Sequence, residues 1–400
     1  MDTQVDTYSP SAFSAQKRLF GYCRSGGTGR RRGLTTKPIP RGAPWDSGFR
    51  SKEINMNKQL EKTGAIIALL IVSAVHGVFT NSLHAAEPVK VTVFNFVRAE
   101  SDMTFDRYVK QGAFGNFLHI RNAVPIDKQD VIRMNRDTLY SMGVFDLTKP
   151  VTITKPEAGG RFQSMLIINQ DHSMLPVEHG SGSFTLTRRK AGTRYVVIVF
   201  RTFVDPSDPN DVKAANTLQD RIKVKQDEPG KFEIPNWDET SLGKIRDTLL
   251  ILASDITDSR AFFGDKKELD PVKHLLGTAY GWGGNPKEGA IYDNVVPEKN
   301  DGTVPYRVTV KDVPVDAFWS VTVYNAKGFL EKNDLGIYSY NNVTAKPNDD
   351  GSFTINFGGD PAEKNYIPTT KGWSIIVRMY QPRKELIDGS WKFPSLQEVK

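Results

Sequence analysis

Short apolar segments separated by turn-forming residues restrict this chain more than any other feature of its sequence. Tyr195-Val196-Val197-Ile198-Val199-Phe200 is an unbroken apolar run of strand length, dominated by β-branched residues, and reads as a buried strand. Around it lie Val151-Thr152-Ile153-Thr154, Phe162 to Ile168 and Ser183-Phe184-Thr185-Leu186-Thr187, with Gly159-Gly160, Gly180 and Gly192 as punctuation. The second half repeats the style in Tyr306 to Val310, Phe318 to Tyr324, Ile337 to Tyr340, Phe353 to Phe357 and Trp373 to Tyr380. Several short strands between turn signals predict β-sandwiches. Asn348-Asp349-Asp350-Gly351 reads as a hairpin turn with glycine where positive φ is wanted.

Between the halves the period changes. Asp205 to Asp211 is a polar loop, with Asp211 as the expected cap of a helix over Val212 to Lys225. A second helix is expected from Leu242 to about Asp255, where Leu242, Ile245, Leu249 and Leu252 share a face. The glycine-rich Leu276 to Gly289 reads as the boundary loop. Near the start, Lys90 to Phe96 alternates like a strand and Thr104 to Gln111 like a short helix. The expected organisation is mainly β: an N-terminal β-sandwich over 87–205, a small helical segment and linker over 206–285, and a C-terminal β-sandwich over 286–400. No internal repeat or coiled-coil heptad is evident.

The first 86 residues read differently. Residues 1–55 are rich in Gly, Ser and Arg without an apolar period, a composition that cannot bury enough surface to offset chain entropy. They are expected to be a disordered leader or a mis-assigned start, with Met56 the natural initiator. Met56-Asn57-Lys58 and Lys62 then precede the apolar run Ala65 to Val75 and the small pair Ala85-Ala86. That order predicts a signal peptide over 56–86, since the apolar run falls short of the ~20 residues a membrane span needs. A periplasmic or secreted location follows, with no membrane attachment after signal removal.

Residues 1–86 hold 12 of the 53 basic and 5 of the 46 acidic residues, so 87–400 balances at 41 of each. No basic footprint for nucleic acid remains there. The single cysteine, Cys23, also precedes Met56, which leaves 87–400 without a disulfide, a thiol nucleophile or a cysteine metal site. His119, His172, His179 and His274 show no metal-ligand spacing. No G-x-S-x-G elbow, phosphate loop or dinucleotide fingerprint occurs, and no metal or cofactor is expected.

The densest polar cluster is Val131-Ile132-Arg133-Met134-Asn135-Arg136-Asp137-Thr138-Leu139-Tyr140. It can be a turn in which Arg136 pairs with Asp137, or the lining of a ligand cleft. Asp171-His172 follows the apolar strand ending at Ile168, and so belongs at a strand end, as a solvated turn or as a ligand donor or proton carrier. Tyr280 and Trp282 lie in the glycine-rich boundary, where clefts often form.

Several motifs resemble known families. Asn135-Arg136-Asp137-Thr138-Leu139-Tyr140, Pro150-Val151, Gly160-Arg161-Phe162, Asp171 and Gly192-Thr193-Arg194-Tyr195 resemble domain of unknown function 1254. Phe318-Trp319-Ser320-Val321-Thr322-Val323-Tyr324, Asp350-Gly351-Ser352, Asn365-Tyr366-Ile367-Pro368, Arg378-Met379-Tyr380-Gln381-Pro382 and Asp388-Gly389-Ser390-Trp391 resemble domain of unknown function 1214. Tyr366-Ile367 departs from the Trp-Leu expected there, a change of packing more than of chemistry. The resemblance implies an Ig-like sandwich, a helical segment and a jelly-roll-like sandwich in exported proteins, and no activity.

The favoured reading is a small polar or acidic ligand bound between the domains. Arg136 and Arg201 would supply forked donors, Asn135 and His172 would orient the ligand, and Tyr140, Tyr280 and Trp282 would give it an apolar face. A hydrolase or lyase acting on a glycan or ester, with Asp137 and His172 as acid and base, is the first alternative. A structural envelope protein is the second, and self-association as a homo-oligomer stays open. Intact-mass measurement on protein from the cell envelope tests the export reading. A mature chain beginning at Ala86 or Glu87 is expected, and one that retains Ala65 to Val75 would refute it.

Overall fold

In the computed structural model of the protein, residues 87–129, 132–253, 256 and 259–400 are described. The leader and signal expectations for 1–86, and Val131, lie outside them. The apolar run forms Tyr195–Phe203 (β6), all nine residues of which are buried. It lies between Thr138–Asp146 (β2) and Gln163–Asn169 (β4), with Leu118–His119 (β1) on the far side of β2. Burial on both faces explains why β6 reads as continuous rather than alternating.

One face of this sheet packs Phe145, Met165, Ile167, Val196, Ile198 and Phe200 against Val151, Ile153 and Leu186. These belong to a three-stranded sheet in which Val151–Lys155 (β3) is flanked by Gly182–Leu186 (β5) and Lys223–Gln226 (β7). Each fully buried Val, Ile or Phe of this layer contributes about 1.5–3 kcal/mol. The opposite face, with Val144, Leu166, Ile168, Val197 and Val199, is covered by Phe105 and Tyr108 of the helix Phe96–Lys110 and by Phe262, Phe263 and Trp282. The helices Glu239–Leu252 and Pro271–Gly281 complete that layer through Leu242, Leu249 and Leu275.

The second half also places two antiparallel sheets around one core. Ala290–Val295 (β8), Trp319–Tyr324 (β10), Ser339–Asn341 (β11) and Ser374–Tyr380 (β14) form one, in the order β11-β10-β14-β8. Tyr306–Val310 (β9), Phe353–Phe357 (β12), Tyr366–Ile367 (β13) and Gln397–Glu398 (β15) form the other, in the order β13-β12-β9-β15. Only the short β12–β13 pairing is parallel. Val321, Ile375, Val377 and Met379 meet Val308, Val310, Ile355 and Phe357 between them. The protein is therefore mainly β, built from several antiparallel sheets.

Local expectations gave way at specific places. Lys90 to Phe96 is no strand: Thr92 N–H and Lys90 C=O bond the Asn95 side chain, a turn forms, and the helix starts at Phe96. The helix after the polar loop spans Pro209–Asp220 and is capped by Asp208, with Pro209 in its first turn. Asp211 instead pairs with Arg161. The expected C-terminal part of that helix is β7, drawn into pairing with β3. The helix Pro271–Gly281 takes up the first part of the expected boundary loop. Gly351 does adopt φ +80°, as its turn requires.

The two halves meet through sheet faces bearing polar rows. Ser164, Arg201 and Tyr140 are register partners across β4, β6 and β2. Tyr292, Arg378, Ser320 and Asn341 are register partners across β8, β14, β10 and β11. Phe203, Ala290, Phe318 and Tyr380 join the halves beside these rows. Arg378 is 4% exposed and donates to Thr322 Oγ1 (3.0 Å), the Tyr324 hydroxyl (2.7 Å) and the Arg133 carbonyl (2.9 Å). Arg378→Ala should cost about 3–5 kcal/mol, because it strips several buried polar groups of their partner. Denaturant unfolding measures it, and a loss below about 1 kcal/mol would show that the junction does not rely on this side chain.

Candidate functional site

The stretch 132–140 turns out to clasp the second half. Arg133 N–H donates to the Gly328 carbonyl (2.7 Å), and Met134 C=O accepts from the Tyr324 hydroxyl (2.8 Å). Asn135 Nδ2 donates to the Tyr380 hydroxyl (2.8 Å), while its Oδ1 closes a turn onto Asp137 N–H (2.8 Å). Asp137 is buried, and its Oδ1 accepts from Asn341 Nδ2 (3.1 Å). Burial pushes the Asp137 carboxyl up from its ordinary range, against the pull of the nearby Arg378 charge. Asp137 Oδ2 and Ser320 Oγ are buried without a hydrogen-bond partner among the described residues.

Arg136 does not pair with Asp137. It donates to the Val124 carbonyl (2.5 Å) and lies 5.3 Å from the Tyr338 ring centroid. Arg201 also has its fork engaged within the protein: Nη1 donates to Asn285 Oδ1 (2.9 Å) and Nη2 to the Gly283 carbonyl (2.6 Å). Its guanidinium lies over the Tyr140 ring at 5.7 Å. Asn135, Asp137, Tyr140 and Arg201 thus share the junction, and Arg136 spans the two halves beside them, from Val124 to Tyr338.

His172 is fully buried at φ +55°, not solvated at a strand end. Its Nε2 accepts from Gly283 N–H (2.9 Å), so Nδ1 carries the proton and donates to Thr278 Oγ1 (2.9 Å). The ring stacks on Trp282 at 5.2 Å, and Trp282 Nε1 donates to Ser101 Oγ (3.1 Å). Burial, with His274 adding to it, holds the His172 imidazole well below its ordinary value. Tyr280 lies on the helix Pro271–Gly281 under the Arg133 guanidinium, 4.7 Å from its centroid. His172 and Asp137 therefore sit in separate hydrogen-bond sets, and no contact joins them as an acid–base pair.

A cavity open to solvent lies elsewhere, where the halves part beside the junction. A cleft of about 750 Å³ is lined from the first half by Glu157, Gly160, Arg161, Phe162, Gln163, His179, Leu218 and Arg221. The second half adds Asp316, Phe318, Val343 and Gln381. None of the eight residues singled out in the sequence lines it. Phe162 and Phe318 meet edge to face at 5.3 Å, and Phe318 stacks on Tyr380 at 4.3 Å, so an aromatic wall separates the cleft from the polar rows. Arg161 reaches the Asp211 carboxylate with both Nη atoms (3.0 and 2.5 Å) and also bonds the Phe203 carbonyl (2.8 Å). Gln163, 2% exposed, bonds Thr202 Oγ1 through Nε2 (3.0 Å), which leaves Oε1 unpartnered. His179 Nδ1 is unpartnered as well. Gly160-Arg161-Phe162, Phe318 and Gln381 belong to stretches that carry the family resemblance, but nothing in the sequence marked them as lining one cleft. Among the described residues, no group of three or more His, Cys, Asp or Glu could hold a metal ion.

With this geometry in hand, the likenesses to known proteins can be placed. Residues 114–188 match the family of proteins of unknown function DUF1254, and residues 294–384 match the family described as Protein of unknown function (DUF1214), in that order along the chain. No curated protein matches the sequence. The crystal structure of the VPA0106 protein from Vibrio parahaemolyticus is similar at TM-score 0.60 and 19% identity, over 77% of this chain and 98% of that one. An uncharacterised protein from Burkholderia cenocepacia aligns at TM-score 0.44 and 14% identity, over 77% of this chain and 88% of that one. At 19% identity the likeness to the VPA0106 protein is one of fold.

The cleft histidine has a measurable consequence. Burial, with Lys155 adding to it, pulls the His179 imidazole down to about 4. The unfolded chain takes up a proton near pH 6.5 and the folded chain only near 4, so stability falls as pH drops through that window. For His179 the loss between pH 7 and pH 4.5 should be about 1–2 kcal/mol, after allowance for solvent screening of its partly open ring. Denaturant unfolding of His179→Gln should show a correspondingly smaller acid loss. An identical loss in both proteins would contradict the assignment.

Proposed function

We propose that the protein is exported and binds a small polar or acidic ligand in the cleft between its two halves. The observation that carries this reading is the cleft itself: its volume falls in the range of small-molecule sites, and it joins an aromatic wall to a few polar groups. Buried polar atoms left unpartnered cost about 1–3 kcal/mol each, and Gln163 and His179 hold two of them at the wall. The signal-like run over 56–86 supports export. Asn135, Asp137, Tyr140 and Arg201 act, on this reading, as part of the brace that sets the two walls relative to each other.

Blocking the cleft tests the proposal. Ala214 is exposed on the helix Pro209–Asp220 and lines the cleft, so Ala214→Trp fills space with little effect on the fold. Thermal-shift screening of the purified chain against metabolites should find a stabilising ligand. Its affinity should fall at least tenfold in Ala214→Trp, while the unliganded melting temperature stays within about 2 °C. A library without stabilising ligands, or a ligand insensitive to the block, would sink the reading.

A further inference from the structure

The charges and hydrogen-bonding groups of the cleft restrict what it can hold, an argument that rests on the binding reading above. Most of its charged groups are already engaged. Arg161 and Asp211 are paired, Asp316 accepts from Arg383 (2.6 Å), and Glu157 accepts from Ser181 (2.8 Å) and from the backbone N–H groups of Ala158 and Gly159. Arg221 is exposed at the end of the helix Pro209–Asp220, and its side chain has no partner among the described residues. The cation left available to a ligand is therefore a guanidinium, which suits a carboxylate.

The neutral groups point to a second feature. Gln163 and His179 each keep one buried polar atom unpartnered. Both atoms are shielded from solvent, and both side chains line the cleft. A hydroxyl donates and accepts, so it satisfies either orientation of the amide and either tautomer of the imidazole. A carboxylate can only accept, whereas a hydroxyl can also donate to the Gln163 amide oxygen that the Thr202 contact leaves unpartnered. Phe162, Phe203 and Phe318, joined edge to face at 5.3 and 4.8 Å, supply an apolar wall for the remainder.

We propose that the cleft selects small hydroxy carboxylic acids with an apolar body: the carboxylate meets Arg221, the hydroxyl meets Gln163 and His179, and the body lies against Phe162 and Phe318. The three groups are contributed by different elements and meet only in the cleft.

Calorimetric titration of the purified chain at pH 7 with phenyllactate, hydrocinnamate and phenylpropanediol tests it, because the last two lack the hydroxyl and the carboxylate respectively. Phenyllactate should bind at least tenfold more tightly than either. Arg221→Gln should abolish the advantage over phenylpropanediol and keep that over hydrocinnamate. Gln163→Leu, with its fold checked by circular dichroism, should do the reverse. Equal binding of the three probes, or an Arg221→Gln variant with unchanged ranking, would overturn the inference. Should none of the three bind while the Ala214→Trp block still abolishes binding of another ligand, this inference falls and the cleft reading stands. If no screened ligand responds to the block, both fall.

Discussion

The structure depends on a clasp in which one short stretch of the first half is hydrogen-bonded into the sheet face of the second. Backbone carbonyls of Arg133 and Met134 receive the Arg378 guanidinium and the Tyr324 hydroxyl, and the side chains of Asn135 and Asp137 meet Tyr380 and Asn341. Two buried guanidiniums, Arg201 and Arg378, face this seam without a carboxylate in salt-bridge contact among the described residues. Carbonyls, hydroxyls and amides hold them instead. Such groups are costly to desolvate and tolerate little displacement, so the seam gives the two halves one relative position rather than a range.

That position determines where the protein is open. On one side of the seam Phe318 stacks on Tyr380 and meets Phe162 and Phe203, and beyond these rings the halves diverge into the cleft. The wall is thus rigid where it meets the junction. The outer wall is of another kind: Arg221 and Ala214 are exposed on a helix whose inner face, through Ala215 and Leu218, is anchored in the core. A ligand would enter between a rigid aromatic surface and an anchored but polar one, an arrangement suited to recognition without large rearrangement.

Lys155 shows how closely the surroundings of the cleft are constrained. Val151, Ile153 and Lys155 are the inward positions of β3, and the third of them carries an amine that is 1% exposed. Burial lowers its affinity for a proton, with Glu157 and Glu178 acting in the opposite sense. This amine acts electrostatically on both His179 and Glu157, which line the cleft. Neutrality of His179 over most of the pH range follows from that setting.

The residues alone determined that the chain is mainly β, because strand-length apolar runs between glycines and prolines have few other ways to bury themselves. Tyr195 to Phe200 was legible as a buried strand for that reason, and the structure extends it to Phe203. The stretch 132–140 was legible as important, since so many polar groups between apolar flanks must find partners somewhere. Which partners they find was decided by tertiary structure: Arg136 turned to Val124, Arg201 to Gly283 and Asn285, and His172 was enclosed by Thr278 and Trp282. Pairing with β3 likewise made a strand of Lys223–Gln226, where the helix had been expected to run on to Lys225. Periodicity reports which face of an element is apolar. It carries no record of which two polar faces will meet across a junction, and the cleft beside that junction exists only once they have.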